Sequence, residues 1–153
     1  MGIEIERKFL VNHLPTTLSP GLAICQGYMV NQDKMVVRVR TKGNKGYLTI
    51  KGKTVDIQRR EFEYEIPLKD AQQMLHLFCA PPLVEKTRFK IEFKGFEWVI
   101  DQFAGKNLGL VVAEIELDHP SQVFETPPWA GEEVSHDPRY YNSNLIRHPY
   151  SAW

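Results

Sequence analysis

One feature constrains this chain more than any other. Residues alternate with period 2 through most of its length, and one of the two alternating faces collects charges of like sign. In Ile3–Phe9, the residues Ile3, Ile5, Arg7 and Phe9 share one face, and Glu4, Glu6 and Lys8 share the other. Arg38 and Arg40 stand two apart in the next such run, and Leu48-Thr49-Ile50 leads to Lys51. Arg59, Glu61, Glu63 and Glu65 oppose Phe62, Tyr64 and Ile66, while Lys86, Arg88, Lys90 and Glu92 oppose Thr87, Phe89, Ile91 and Phe93. Asp101 opposes Trp98 and Ile100, and Glu114, Glu116 and Asp118 oppose Val111, Ala113, Ile115 and Leu117. Around Tyr28 one face carries Ile24, Gln26, Tyr28 and Val30. Successive side chains of a strand point to opposite faces, so each run reads as a strand.

The connections read as tight. Asn31-Gln32-Asp33-Lys34 and Gly43-Asn44-Lys45-Gly46 carry hairpin-loop chemistry, and Lys94-Gly95 reads as a turn. Short connections make antiparallel neighbours. One helix is expected from about Leu68 to Phe78, with Leu68, Ala71, Leu75 and Phe78 as its apolar stripe and Pro81-Pro82 beyond its end. From Pro127 the chain is rich in Pro, Gly and Asn, with one short helix expected near Tyr140 to Ile146. At 153 residues, without repeat or linker, residues 1–153 are expected to form a single domain.

Two arrangements satisfy this pattern. In one, an open antiparallel sheet keeps a charged face in water. In the other, about eight strands close with the charged face inward, enough to enclose one small ligand. Like charges two apart on a strand face repel, and a plain wet face has no reason to collect them. An inward face, however, must be wet or filled by ligand, because buried ions are costly unless paired. Clustered Arg and Lys suit a polyanion with several oxygens. Clustered carboxylates suit a hard cation such as Mg²⁺ or Mn²⁺.

Composition excludes several other classes. Lys plus Arg equals Asp plus Glu, at 19 each, which argues against a nucleic-acid or membrane-surface protein held by bulk charge. No apolar run is long enough to span a bilayer, and the N-terminus, charged from Glu4, has no apolar signal core. The cysteines, Cys25 and Cys79, form no CxxC or Cys/His cluster, and the histidines are scattered. A cytoplasmic chain with both thiols reduced and buried is expected.

The N-terminal Glu4-Ile5-Glu6-Arg7-Lys8 resembles the ExExK signature of the CYTH superfamily, the triphosphate tunnel metalloenzymes. It is followed in order by blocks similar to the family's others: Gln26-Gly27-Tyr28, Arg38-Val39-Arg40, Leu48 to Lys51, Glu61-Phe62-Glu63, Glu85 to Arg88, Asp101 and Glu114-Ile115-Glu116. Gly131 to Val134 with Asp137 to Asn142 looks like the family's closing segment, and the overall length resembles its compact bacterial members. The resemblance implies a mainly β fold with a few helices, a closed eight-stranded antiparallel β-barrel tunnel with a charged interior. It implies that Lys8, Arg38, Arg40, Lys51, Lys86 and Arg88 hold triphosphate oxygens. By the same resemblance, Glu4, Glu6, Glu61, Glu63, Asp101, Glu114 and Glu116 hold one or two ions of Mg²⁺ or Mn²⁺. Tyr28 is expected on the inner face near Lys51, the pair acting in proton transfer or at the scissile bridge. Arg139 is expected to cap the tunnel mouth. Glu65, Lys90, Glu92 and Asp118 read as rim charges.

The implied activity is metal-dependent hydrolysis of a triphosphate, inorganic tripolyphosphate first, to diphosphate and phosphate. A class IV-type adenylate cyclase, a thiamine triphosphatase and a non-catalytic polyphosphate binder are the alternatives. No extra segment supplies an obvious base pocket, and a binder needs only the basic residues. There is no G-x-x-x-x-G-K-[ST] loop and no nucleophile elbow, so no covalent route is expected. The expected partner is a small-molecule triphosphate, with neither nucleic acid nor membrane, and a homodimer through the outer apolar face is possible.

Overall fold

The computed structural model describes residues 2–153. Its strands are β1 (Ile3–Val11), β2 (Leu22–Gln32), β3 (Met35–Lys42), β4 (Lys45–Gly52) and β5 (Gln58–Ile66), then β6 (Val84–Phe93), β7 (Phe96–Phe103), β8 (Val111–Glu116) and β9 (Ala130–Glu133). Helix α1 (Leu68–Phe78) lies between β5 and β6, and α2 (Asn142–Arg147) follows a 3₁₀ turn at Pro138–Tyr140. The strands run in the order β5-β4-β3-β2-β6-β7-β8-β1, and β1 also pairs with β5. That last pairing, with Ile3, Glu4 and Ile5 opposite Arg60, Arg59 and Gln58, closes an antiparallel eight-strand ring. β1 then changes partner along the same edge: beyond β5, its Phe9 and Val11 pair with β9.

Closure decides which face is inside. Lys8 lies opposite Glu114, Lys51 opposite Glu61, Arg88 opposite Asp101, and Glu4 opposite Arg59. These opposed charges all face the lumen, so the open wet-sheet arrangement is not the one adopted. Cross-strand pairs of opposite sign offset part of the cost of enclosing them.

Most of the hydrophobic core therefore lies outside the ring. Ile5, Phe9, Trp98, Ile100, Ala113 and Ile115 point outward and are covered by Leu117, Phe124 and Trp129 of the segment that follows β8. Val39, Ala71, Leu75 and Cys79 form a second outer cluster beneath α1. Gly46 and Gly27 allow α1 to lie this close. A Cβ on Gly46 would stand 2.7 Å from the Ala71 Cβ, and one on Gly27 2.7 Å from the Cys79 Cβ.

A third cluster is different. Val84, Phe103 and Val112 lie on the inward faces two residues beyond Lys86, Asp101 and Glu114, and they pack with Tyr140 and Leu145 of the tail. The tail thus fills one end of the ring with apolar side chains.

The bounds expected for α1 hold, but its stripe is corrected. Ala71 and Leu75 are buried, whereas Phe78 is 63% exposed and Cys79 takes the inward position. The helix ends at Phe78, and the extended backbone at Cys79 turns the sulfur toward β2. Of the two thiols expected to be buried, Cys79 is buried and Cys25 only half-buried. The single tail helix expected at Tyr140–Ile146 is broken by the extended backbone at Tyr141 into the 3₁₀ turn and α2. Among the described residues, no helix is long and apolar enough to cross a membrane. On the outer face of β1, β4 and β5, Ile3, Ile50, Phe62 and Tyr64 remain exposed.

Candidate active site

The ring encloses a cavity of about 310 Å³. Nine basic and eight acidic side chains line it, so the near balance of the whole chain is repeated inside, but with the signs sorted. Adjacent strands β8, β1 and β5 carry Glu114, Glu116, Glu4, Glu6, Glu61 and Glu63. On the far side, β3 carries Arg38 and Arg40, and β6 carries Lys86 and Arg88, with β2 between them. Lys51 on β4 stands where the two arcs meet, and Lys8 on β1 stands within the acidic arc.

The basic arc is held by two carboxylates. Oε2 of Glu63 accepts from Arg38 Nη2 at 3.1 Å, Arg40 Nη2 at 3.3 Å and the Thr49 hydroxyl at 2.6 Å. Burial opposes ionisation of Glu63, but the Thr49 hydroxyl and the two arginines hold its carboxyl below the usual range. Asp101, wholly buried, receives Arg88 bidentately, at 2.7 Å and 2.8 Å, and Lys86 Nζ at 2.9 Å. Burial is resisted there by Lys86 and Arg88, which keep Asp101 ionised. In return Arg88 is raised despite its burial. Lys86 shares the same carboxylate but is pushed down to about 7, because burial outweighs the single bond to Asp101 and Arg88 repels it. Arg40 is pushed down to about 10 by burial and by Arg38. The Nε atoms of Arg38 and Arg40 are buried and meet no acceptor among the described residues.

The acidic arc is less completely neutralised. Lys51 Nζ lies 3.2 Å from Glu4 and 3.1 Å from Glu61, and Arg59 Nε lies 3.5 Å from Glu4. Lys8 Nζ is 3.7 Å from Glu114 and donates to the Tyr140 carbonyl at 3.0 Å. Burial opposes ionisation of Glu4 and Glu114, but Lys51 beside the one and Lys8 beside the other hold both low. Glu6 has no such partner: burial, Glu114 and Glu4 push it well above the carboxylate range. Burial and a hydrogen bond with Glu4 raise Glu61, and burial with Glu4 raises Glu116.

A divalent cation fits this arc by its chemistry. The donors are all carboxylate oxygens, the set that hard cations take. Burial and mutual repulsion raise Glu6, Glu61 and Glu116, so their charge is not fully offset by the cations of the chain. Among the described residues no three carboxylates converge as a ready-made cage. Mg²⁺ needs none, since it keeps several waters and is commonly shared between one or two carboxylates and phosphate oxygens.

The expected site residues separate into groups. Glu4, Glu6, Glu61, Glu114 and Glu116 lie together along the acidic arc, as do Arg38, Arg40, Lys86 and Arg88 along the basic one. Glu63 and Asp101, expected with the metal-binding carboxylates, instead stand among the cations, with Glu63 Oε2 and both Asp101 oxygens engaged. Tyr28 lines the cavity as expected, but its hydroxyl accepts from Gln26 at 3.0 Å, while Lys51 turns to Glu4 and Glu61. Arg139 does not line the cavity. It bonds Asp137 at 2.8 Å and lies 4.7 Å over the Trp153 ring, because the 3₁₀ turn directs it outward. The expectation that it caps the mouth is corrected: Tyr140 and Asn142 of the same segment reach inward instead. Lys90, exposed and 3.6 Å from Glu97, is a rim charge, and Glu65 pairs with Lys45 at the surface.

Sequence reading passed over Gln26, Thr49, Arg59 and Asn142 as site residues. Arg59 and Thr49 were legible from the alternation, since they share faces with Glu61 and Lys51. Asn142 lies in the non-repeating tail, where periodicity says nothing.

An antiparallel ring with sorted charges facing one lumen defines a class. Residues 2–150 match the family model of the CYTH domain, and the chain belongs to the CYTH family. It is 48% identical over 151 residues to a protein named inorganic triphosphatase from Acetivibrio thermocellus, covering 98% of this chain and 97% of that one. A second protein of that name, from Nitrosomonas europaea, is 35% identical over 93% of this chain and 95% of its own length. A solved crystal structure of an inorganic triphosphatase superposes with a TM-score of 0.68 at 34% identity, covering 94% of this chain and 93% of that chain.

Proposed function

We infer that this CYTH protein is an inorganic triphosphatase, hydrolysing tripolyphosphate to diphosphate and phosphate with the help of a divalent cation. The observation that carries this reading is the sorting of charge around one cavity. A basic arc faces an acidic arc across a lumen large enough for one small ligand. A polyanion that carries cations needs both walls, and a binder without catalysis needs only one. The 48% identity to a protein of that name supports the same reading.

Arg38, Arg40, Lys86 and Arg88 bind and orient the triphosphate oxygens. The buried, unpartnered Nε groups of Arg38 and Arg40 are donors left for it. Lys51, at a junction of the arcs, and Lys8, within the acidic arc, complete the charge neutralisation. Glu4, Glu6, Glu61, Glu114 and Glu116 would hold Mg²⁺ or Mn²⁺. When bound there, the cation supplies positive charge to the phosphoryl oxygens and to the attacking water. Glu63 and Asp101 hold the guanidinium groups in place. In the hydrolysis, the water oxygen bonds to the terminal phosphorus as the bridging P–O bond breaks. One water proton passes to a carboxylate of the acidic arc. The charge left on the departing diphosphate is met by the basic arc, with Lys51 Nζ as proton donor and the Tyr28 hydroxyl at the bridging oxygen. Little covalent work remains for the protein, as in other phosphoryl transfers.

Residues 1–153 act as one CYTH domain on this reading, with Met1 outside the described residues. The free thiols suit a cytoplasmic setting. The exposed row Ile3, Ile50 and Phe62 is where a homodimer would form. The test is to incubate the protein with Mg²⁺ or Mn²⁺ and tripolyphosphate, ATP or thiamine triphosphate, and to measure phosphate, diphosphate and cyclic AMP. Tripolyphosphate is expected to be cleaved fastest, without cyclic AMP. Cyclic AMP as the main product from ATP would replace the triphosphatase with a cyclase.

A further inference from the structure

The tail does more than fill one end of the ring. Asn142, the first residue of α2, lines the cavity, and its Oδ1 accepts from Lys86 Nζ at 2.8 Å and from Gln26 Nε2 at 3.2 Å. A charged Lys86 has only donors, and Gln26 Nε2 is a second donor on the same side, which places the amide oxygen toward them. In this orientation Nδ2 points away from Lys86. Among the described residues Nδ2 meets no acceptor and is not fully buried, and Asn142 lines the cavity. The position is firmly held. The next residue's carbonyl, Ser143, accepts from Asn31 Nδ2 at 2.9 Å, and Arg147 bonds the Asn31 carbonyl, which ties α2 to β2.

We propose that Asn142 is a triphosphate-binding residue: its Oδ1 orients Lys86 and Gln26, and its Nδ2 donates to a phosphate oxygen. The assignment rests on the triphosphate reading of the cavity. It makes the tail part of the substrate site, and a neutral donor is useful there. Several cations already crowd this wall, and an amide adds a hydrogen bond without adding repulsion.

Three proteins test it: wild type, Asn142→Asp and Asn142→Ala. Apparent Kd for tripolyphosphate is measured by thermal-shift titration in EDTA, and KM and kcat in Mg²⁺. Asn142→Asp keeps an oxygen for Lys86 and Gln26, removes the donor, and sets an anion against the phosphates. Its Kd is expected to rise by about tenfold or more, the loss of one hydrogen bond to a charged group. Its ligand-free Tm should stay at or above the wild-type value, because Lys86 gains a counter-ion. Asn142→Ala should raise Kd as well, by less than Asn142→Asp. A merely structural asparagine would give the opposite pattern, with Tm falling and Kd for Asn142→Asp within twofold of wild type, and that result overturns the assignment. A wild type whose Tm does not respond to tripolyphosphate would sink the functional reading, and this assignment with it.

Discussion

The two arcs of the tunnel wall solve the problem of enclosed charge in opposite ways. On β3 and β6 the cations have their own counter-ions, Glu63 and Asp101, fixed by hydrogen bonds of 2.6 to 3.3 Å. On β8, β1 and β5 the carboxylates outnumber their partners, and Glu6, Glu61 and Glu116 are all raised. The basic arc is thus organised before any ligand arrives. The acidic arc waits for a cation or takes up protons. Preorganisation of this kind helps an anion site, because the groups that meet developing charge need no rearrangement.

The largest difference between the arcs should show in activity. On the proposed function, Glu4→Gln or Glu116→Gln would remove a cation ligand, and excess EDTA the cation itself. Each should lower turnover by roughly 10²-fold or more, as does the loss of a key electrostatic group elsewhere. The fold should persist, as seen by an unchanged circular dichroism spectrum. Full turnover in EDTA after dialysis would break the comparison on its acidic side.

Next in size is the stability of the basic arc. Asp101→Asn strands Arg88 and Lys86 in a buried site without their anion. Removing one partner of a buried ion pair costs about 3–5 kcal/mol, to be read by urea unfolding without ligand. A near-neutral result would mean that the cations can find other partners. The same measurement on Glu116→Gln should show little loss, or a gain.

A third effect is smaller and depends on pH. The folded carboxyl of Glu6 is raised above its ordinary value of 4.5. Below that value Glu6 is protonated in both folded and unfolded chains. As pH rises toward the folded value, only the folded protein keeps the proton, so this group's contribution to stability falls. Glu4 and Glu114, held low, act in the opposite sense and lose their contribution only as pH falls through their folded values. Glu6→Gln should therefore gain Tm over wild type progressively above pH 4.5 in EDTA, and Mg²⁺ should shrink that gain. Parallel melting curves across pH would show that Glu6 is not crowded.

Smallest of all is Arg139→Ala. The side chain points out of the tunnel and pairs with Asp137 at the surface. Exposed pairs contribute little, so kcat and KM should stay within about twofold. A large rise in KM would restore Arg139 to the mouth and extend the basic arc into the tail.

Much of this architecture was legible along the chain. Period-2 alternation marked the ring strands, and like-charge runs marked the two arcs. Glu63 and Asp101 show where that reading stops. On a strand diagram each is one more inward carboxylate, alongside Glu61 or Glu114. Which carboxylate meets a guanidinium depends on the neighbour across the ladder, and the opposition of Arg88 to Asp101 exists only once β6 pairs with β7. Phe78 and Cys79 make the same point at the end of α1. The helix stops where expected, but the extended backbone at Cys79 puts a sulfur where the stripe placed an apolar ring.

The sequence by itself determined the strands, their charged faces and the kind of ligand those faces suit, because alternation and charge are local properties written in single residues. Tertiary structure alone decided that β1 meets β5, so that the charged face became a lumen, and that the tail turns Asn142 inward and Arg139 outward. Those outcomes depend on pairings between residues far apart in the chain, Ile3 with Arg60 and Lys86 with Asn142. No periodicity within one segment carries that information.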